Sequence, residues 1–313
     1  MSGKHTQRLA ADPAGLARAA QLLRAGGLVA VPTETVYGLA ARADSETGVA
    51  GIYRAKGRPD FNPLIVHVAT LAMARALAVF DDRAEHPASK FWPGPLTLVL
   101  PLRPCAPVVP AVTAGLPTIA LRMPAHPATQ ALLADLELPL AAPSANRSGA
   151  VSPTSAEHVL AGLTGRIDAV LDAGPTAQGL ESTIVALRSG GEWQQLRPGP
   201  VTAEGLRALL GPPAAAPATG IEAPGQLASH YSPGKPLRLG VAAAEADEFL
   251  IGFGSTAGRC NLAADGDLAT AAARLYACLH EAATSPLPRV AVAGIPDEGI
   301  GVAINDRLRR AAA

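Results

Sequence analysis

Short apolar segments rich in β-branched residues alternate with helix-like segments along most of the chain, and this alternation most constrains the fold. Leu28–Pro32, Pro63–Ala69 and Leu96–Leu102 are three such segments. Runs of this kind are typical of buried strands, whereas Ser45 is placed to cap a helix between the first two. Three strands are predicted in succession between residues 168 and 197, so the sheet is not purely parallel. The sequence therefore predicts a twisted, mixed α/β sheet with helices packed on it.

A change of composition near residue 211 divides the chain. Residues 211–234 are rich in proline, alanine and glycine, which indicates a linker. Beyond it, strand and helix patterns repeat on a smaller scale, typical of a Rossmann-like α/β unit. We therefore expect a catalytic domain over residues 1–210, a linker over residues 211–235 that could serve as an active-site lid, and a small C-terminal α/β domain over residues 236–313.

The charge balance and the cysteines exclude several classes of protein. The chain of 313 residues has 26 lysines and arginines against 26 aspartates and glutamates, which argues against a broad phosphate-binding surface. Cys105, Cys260 and Cys278 are far apart, so neither a disulfide framework nor a zinc site is predicted. No apolar segment is long enough to cross a membrane, and no signal sequence is evident. We expect a cytoplasmic protein.

Cations occur where ligands usually bind in α/β proteins. Lys56 and Arg58 flank a glycine in a turn that ends a predicted helix, which suits an anionic ligand, although a solvated basic turn is the alternative. Arg122 stands within a predicted strand, so it must point outward or have an anionic partner, because an unpaired buried guanidinium costs several kcal/mol. Arg197 repeats that argument more weakly. With few acids expected beside them, these cations predict a pocket for a substrate with several negative charges.

Other polar residues have ordinary structural explanations as well. His67 fits a hydrogen-bonded core histidine, Ser144 and Asn146 fit a turn, and Thr118 fits a strand. The glycines between Gly252 and Gly258 indicate a turn, because their spacing departs from a dinucleotide fingerprint. No Walker A motif, nucleophile elbow or paired-histidine helix is present.

The motifs PTETVYGL, KGRP, WPGPLT, RMPAHP, APSAN, STIV, LRPGP and HYSP occur in one order across most of the chain. In this they closely resemble the L-threonylcarbamoyladenylate synthases, the longer form of the YrdC-like proteins. The resemblance implies a YrdC-like catalytic domain. It also implies an enzyme that makes L-threonylcarbamoyl-AMP and pyrophosphate from L-threonine, bicarbonate and ATP. A partner transferase complex would then modify an adenosine of tRNA, and contact with tRNA itself would be weak or indirect.

The resemblance also implies roles for individual residues. Lys56 and Arg58 would be catalytic. The ATP site would comprise Lys56, Arg58, Asn62, Thr118, Ser144, Asn146, Ser152 and Arg197. The threonine site would comprise Thr35, His67, Arg122, Ala142 and Ser182. Mg²⁺ would arrive with ATP, and no metal site is expected in the protein itself. His230 and Tyr231 would belong to the lid, where Ala228 replaces a tyrosine that some relatives have.

The sequence disfavours two alternative functions. Hydrogenase-maturation proteins use a related carbamoyl-adenylate chemistry, but this chain lacks their length and their zinc-finger cysteine spacing. A non-catalytic RNA-binding module is disfavoured by the zero net charge and by the lack of interleaved aromatic and basic residues.

Overall fold

The computed structural model describes residues 5–188, 190–214, 220–226 and 229–313. Its helices are α1 Pro13–Arg24, α2 Glu46–Lys56, α3 Leu71–Leu77, α4 Asp82–Phe91, α5 Pro110–Thr113, α6 Pro127–Leu136, α7 Ala156–Leu163, α8 Ala203–Leu210, α9 Leu268–Thr284 and α10 Gly301–Ala312. Its strands are β1 Gln7–Ala10, β2 Val29–Val31, β3 Gly38–Arg42, β4 Ile65–His67, β5 Leu96–Pro101, β6 Thr118–Arg122, β7 Leu140–Ala141, β8 Ala169–Asp172, β9 Thr183–Leu187, β10 Trp193–Arg197, β11 Leu237–Val241, β12 Glu248–Gly252, β13 Cys260–Asn261 and β14 Arg289–Ala293.

The strands form two sheets, which confirms the predicted mixed α/β fold. The larger sheet has the order β1-β8-β2-β3-β7-β4-β6-β5-β9-β10 and contains both parallel and antiparallel pairs. The smaller sheet has the order β11-β14-β12-β13 and is parallel throughout. The sequence also predicted a helix cap at Ser45, and the Ser45 hydroxyl does accept a hydrogen bond from the Gly48 N–H at 3.1 Å.

Strand pairing within the larger sheet brings several of the predicted site residues close to one another. β4 runs parallel to β6, and His67 lies opposite Arg122 in their register. β5 runs parallel to β9, and Leu96 lies opposite Thr183. Because parallel strands end at the same edge, polar residues from segments far apart in sequence meet there.

The cysteine prediction was wrong for one pair. Cys260 on β13 and Cys278 on α9 are joined in a disulfide, with their Cα atoms 5.8 Å apart. Their separation of 18 residues gave no signal, because only the packing of α9 against the small sheet brings the two positions together. Cys105 is a free, exposed thiol. Within the described part of the chain, no helix combines the length and apolarity needed to cross a bilayer.

Candidate active site

A hollow lies at the edge of the larger sheet, and the end of the linker forms part of its lining. It is lined by Thr33, Val36, Gly38, Arg58, Ile65, His67, Arg122, Ala142, Pro143, Ser144, Glu181, Ser182, Arg197, Pro224, Gly225, His230 and Tyr231. Strands β4, β6 and β10, the segment after β7 and the segment before β9 all contribute. Three buried arginines therefore share one enclosure, as an anion-binding pocket requires.

Arg122 is held at one side of the hollow by two groups of the protein. Its Nε donates to the Gly94 carbonyl at 3.1 Å, and its Nη2 donates to Glu34 Oε1 at 2.5 Å. The other oxygen of Glu34 accepts a hydrogen bond from the Ala125 N–H at 2.9 Å. Burial raises the pKa of Glu34, but the adjacent Arg122 outweighs it and keeps that pKa below its ordinary value. Arg122 is thus a fixed cation whose remaining N–H groups can meet a ligand.

The expectation of few acids beside these cations was wrong. Glu34 pairs with Arg122, and Glu181 lines the hollow itself. Nothing local in the sequence singles out Glu34, because 88 positions separate it from its partner. The sequence did indicate that a buried Arg122 needs an anionic partner. It did not indicate whether that partner is a ligand or a residue of the chain.

Ser182 and Arg197 form a second group in the hollow. Arg197 Nε donates to the Ser182 carbonyl at 3.0 Å, and Arg197 Nη2 donates to the Ser182 hydroxyl at 3.1 Å. That hydroxyl also lies 2.7 Å from the hydroxyl of Thr97 on β5. Burial is the main reason that the pKa of Arg197 lies below its ordinary value. Ser182, predicted for the threonine site, and Arg197, predicted for the ATP site, are therefore in direct contact.

The two cations of the KGRP turn occupy different positions. Arg58 lines the hollow, and its Nε and Nη2 donate to the carbonyls of Asn62 and Pro63 at 3.1 and 2.9 Å. Burial lowers the pKa of Arg58 to about 10, and Arg197 contributes to the decrease. Lys56 is not among the lining residues, because its ammonium donates to the carbonyls of Ser144 and Asn146, each at 2.6 Å. Lys56 therefore fixes the Ser144 segment from behind, and burial lowers its pKa well below the ordinary value.

Two histidines in the wall are held neutral. Burial lowers the pKa of both His67 and His230 to about 3, with Arg122 adding to the effect at His67. The Nδ1 atoms of both rings are buried and lack a hydrogen-bond partner among the described residues. An unsatisfied polar atom at the wall of a hollow is a natural contact for a bound ligand or water.

Of the remaining predicted site residues, Ala142 lines the hollow, whereas Thr35, Asn62 and Thr118 are not among the lining residues. Thr35 is buried with its hydroxyl 2.9 Å from that of Thr33, which does line the hollow. Asn62 is buried with an unpartnered Oδ1. Thr118 begins β6 and points to the same side of the sheet as Arg122, four residues further on. Ala142 lines the hollow and donates its N–H to the Ile65 carbonyl at 2.9 Å.

Asn146 and Ser152 are occupied by neighbouring groups. The Asn146 amide donates to the carbonyls of Arg147 and Ala150 at 2.9 and 2.8 Å. The Ser152 hydroxyl donates to Glu181 Oε1 at 2.5 Å. Both residues therefore shape the loops beside the hollow.

The end of the linker closes over the hollow at His230 and Tyr231. Tyr231 is buried and adopts a left-handed conformation at φ 67°. Gly225 is also left-handed, at φ 85°, and its backbone lies close to Arg197 and Tyr231. A Cβ added at Gly225 would lie 2.9 Å from the Arg197 side chain and 2.9 Å from the Tyr231 hydroxyl. Leu227 and Ala228, the other linker positions of interest, lie outside the described residues.

The carboxylates near the hollow are already engaged. Glu34 is bound to Arg122, and Glu181 accepts hydrogen bonds from Ser152, Tyr276 and Arg307. Among the described residues, no group of three or more histidine, cysteine, aspartate or glutamate side chains is placed to hold a metal ion.

Comparison with known proteins places this site in a family. Residues 21–199 match the family described as "Telomere recombination" (Sua5/YciO/YrdC), and residues 201–313 match the threonylcarbamoyl-AMP synthase C-terminal domain. The chain is 40% identical to the threonylcarbamoyl-AMP synthase of Bacillus subtilis, over 98% of this chain and 95% of the relative. It is 37% identical to that of Pyrococcus abyssi, over 94% of this chain and 92% of the relative.

A solved structure agrees with the sequence comparison. The fold resembles P. abyssi Sua5 complexed with L-threonine, with a TM-score of 0.89 and 34% identity over 98% of this chain and 97% of that one. Similarity over nearly the whole of both chains favours the synthase over the two alternative functions. The chain therefore belongs to the two-domain threonylcarbamoyl-AMP synthase family.

Proposed function

We propose that this chain joins L-threonine, bicarbonate-derived CO₂ and ATP to give L-threonylcarbamoyl-AMP and pyrophosphate. The observation that carries the proposal is the hollow whose lining includes Arg58, Arg122 and Arg197, with Ser182 hydrogen-bonded to Arg197. Such a hollow can hold an amino-acid carboxylate on one side and a triphosphate on the other. Membership of the family supports the same reaction.

The chemistry needs two bond-forming steps and no protein nucleophile. The neutral amine of threonine adds to CO₂, loses a proton and becomes a carbamate. A carbamate oxygen then attacks the α-phosphorus of ATP, the bond from that phosphorus to the bridging oxygen breaks, and pyrophosphate leaves. The protein contributes by aligning two anions and by stabilising the charge that develops on the phosphate.

We assign threonine to the Arg122 side of the hollow. The free N–H groups of Arg122 would bind the carboxylate, because a guanidinium held from behind by Glu34 cannot turn away. Ser182 and His67 would contact the amine or the hydroxyl of threonine, and the backbone at Ala142 would bound the site. Thr35 would act through Thr33, whose hydroxyl lies beside its own.

We assign ATP to the Arg58 and Arg197 side. These two side chains would neutralise the phosphates, with Ser144 at the same wall. Lys56 would support this wall through the carbonyls of Ser144 and Asn146. Asn62, Thr118 and Ser152 would complete the nucleotide site from the surrounding loops.

Mg²⁺ would enter as part of the Mg–ATP substrate. Its ligands would be phosphate oxygens and water, since the carboxylates of Glu34 and Glu181 are occupied. The end of the linker would act as a lid, because His230 and Tyr231 contribute to the lining of the hollow from that segment.

The product would be passed to a second enzyme. A carbamoyl-adenylate is a reactive mixed anhydride, so a transferase complex that acts on a tRNA adenosine would be its consumer, and tRNA would contact this chain weakly or indirectly.

The proposal is tested by incubating the protein with ATP, ¹³C-bicarbonate and each amino acid in turn, and following pyrophosphate and the adenylate product by mass. We expect a labelled threonylcarbamoyl-AMP only when ATP, bicarbonate and threonine are all present. Pyrophosphate release that is independent of amino acid, or of bicarbonate, would refute it.

A further inference from the structure

The carboxylate of Glu181 connects the two domains at the wall of the hollow. It comes directly before Ser182 and accepts a hydrogen bond from Ser152, both in the larger domain. From the C-terminal domain, the Tyr276 hydroxyl and Arg307 Nε donate to its Oε2 atom at 2.7 and 2.9 Å. Three donor groups from the two domains therefore meet at one buried side chain.

Arg307 is fixed from every side. Its side chain is fully buried, its Nη2 donates to the Pro198 carbonyl at 2.9 Å, and its Nη1 pairs with Asp306 at 2.6 Å. Its guanidinium lies 5.3 Å from the ring centre of Tyr231, which stacks at 5.7 Å on Tyr276. A guanidinium held this rigidly also holds the carboxylate that it pairs with.

The charge of Glu181 matters to the cations of the hollow. Burial raises its pKa, but Arg307 first and Arg197 next lower it to about 2, so the carboxylate is ionised at neutral pH. Glu181 and Arg197 line the same hollow, yet among the described residues the ion pair of Glu181 is with Arg307. If Arg307 were absent, Arg197 would be the arginine left to pair with this carboxylate.

We propose that the C-terminal domain serves the reaction by holding the Glu181 carboxylate on Arg307 and Tyr276, which keeps Arg197 available for the phosphates of ATP. Arg307 and Tyr276 are then positioning residues that act on nucleotide binding from the second domain. This inference rests on the proposed function, because it takes the ligand of Arg197 to be a triphosphate.

The test measures binding of a nonhydrolysable ATP analogue, and of inorganic triphosphate, to the full chain by calorimetry. Arg307→Met should weaken both by about tenfold or more, because the freed carboxylate competes for Arg197. Adding Glu181→Gln to Arg307→Met should restore binding to within about threefold of the wild type, since no charge then competes. A purely structural role for Arg307 predicts no such recovery.

Tyr276→Phe gives a milder version of the same test should Arg307→Met fail to fold. It removes one donor to Glu181 while keeping the ring, so it should weaken binding by a smaller factor that Glu181→Gln again reverses. The matched control is Arg238→Met, which breaks an arginine–glutamate pair with Glu248 at 2.6 Å inside the C-terminal domain, outside the hollow. It should leave nucleotide binding unchanged.

The outcomes separate this inference from the proposed function. Folded Arg307→Met or Tyr276→Phe variants that bind the analogue as tightly as the wild type overturn the inference alone. Weakened binding that Glu181→Gln does not repair also overturns it. A wild-type chain that binds neither probe overturns the proposed function, and this inference with it.

Discussion

Replacing Arg122 should separate threonine binding from nucleotide binding. We choose Arg122→Met because methionine fills most of the volume of the arginine stem without the charge. The guanidinium has five N–H donors, of which the structure engages two, with Gly94 and Glu34. The remaining donors are enough for a two-pronged contact with the threonine carboxylate.

The size of the effect follows from these contacts. A hydrogen bond to a charged group contributes about 1.5–3 kcal/mol, so losing a two-pronged contact should cost about 3 kcal/mol. Because about 1.4 kcal/mol corresponds to tenfold, the dissociation constant for threonine should rise about 100-fold. The dissociation constant for the ATP analogue should change less than about threefold, because Arg58 and Arg197 remain.

The same substitution should destabilise the protein for a separate reason. Glu34 is nine-tenths buried and would keep the Ala125 N–H as a partner but lose its counter-ion. Leaving a buried charge unpaired costs on the order of 3 kcal/mol. In the double variant Arg122→Met/Glu34→Gln, most of the stability should return, whereas threonine binding should not.

The assay combines calorimetric titration of threonine with thermal unfolding of each variant. Arg75→Met is the matched control, because Arg75 forms an exposed pair with Glu85 and its loss should change stability by less than about 1 kcal/mol. The reasoning is refuted if threonine binds Arg122→Met with wild-type affinity. It is refuted equally if the double variant regains threonine binding along with stability.

Three further predictions follow from the structure. His67 and His230 have pKa values of about 3 in the folded chain against 6.5 ordinarily. The unfolded chain therefore binds more protons between these values. The stability that depends on these neutral histidines is therefore complete above about pH 6.5. As the pH decreases below that value, the free energy of unfolding should fall by up to about 1.4 kcal/mol per pH unit for each histidine. Urea unfolding from pH 7 to pH 4 measures this decrease, and a free energy of unfolding that does not change with pH would contradict the prediction. Reduction of the Cys260–Cys278 disulfide, which spans 18 residues, should destabilise the protein by about 3 kcal/mol. Unfolding that is the same with and without a reductant would contradict the bond. Gly225→Ala places a Cβ 2.9 Å from Arg197 and Tyr231 and should raise the KM for ATP. Gly234 has a similar φ of 76°, but a Cβ added there would have no atom within 4 Å. Gly234→Ala should therefore lower the stability of the protein without changing the KM for ATP. Equal kinetic effects of the two alanines would argue against a lid.

Local sequence signals predicted the regular elements well where caps and periodicity agreed. Asp12 and Pro13 are a pair typical of a helix start, and they begin α1, where the Asp12 side chain accepts a hydrogen bond from the Gly15 N–H at 2.8 Å. Gly57 ends α2 in a left-handed conformation at φ 62°, as a helix-ending glycine should. These signals depend only on residues that are neighbours in the sequence, so they can be recognised without knowledge of the fold.

β3 and α4 are among the elements that the sequence did not predict, because their local signals were weak or contrary. β3, Gly38–Arg42, has no β-branched residue and becomes a strand through pairing with β2 and β7 on either side. α4, Asp82–Phe91, contains Pro87, which normally argues against a helix interior. Ala84 and Ala88 of this helix are buried in the core, and this tertiary packing is not visible in the local sequence.

The sequence predicted the cationic residues of the candidate site but not their anionic partners. Arg122 and Arg197 stood out because a buried arginine demands a partner. The partners, Glu34 and Glu181, are ordinary residues locally, and only the fold brings Glu181 to Arg307, 126 positions away. The position of Lys56 behind the wall was also unpredictable, because its ammonium binds the carbonyls of a loop 88 and 90 positions distant.

A crystal structure of the chain with L-threonine and a nonhydrolysable ATP analogue would show whether one hollow holds both substrates in line. We predict the threonine carboxylate within hydrogen-bonding distance of Arg122, and the triphosphate against Arg58 and Arg197 in the same enclosure. Either ligand bound elsewhere, with Arg122 or Arg197 still facing an empty hollow, would contradict the account.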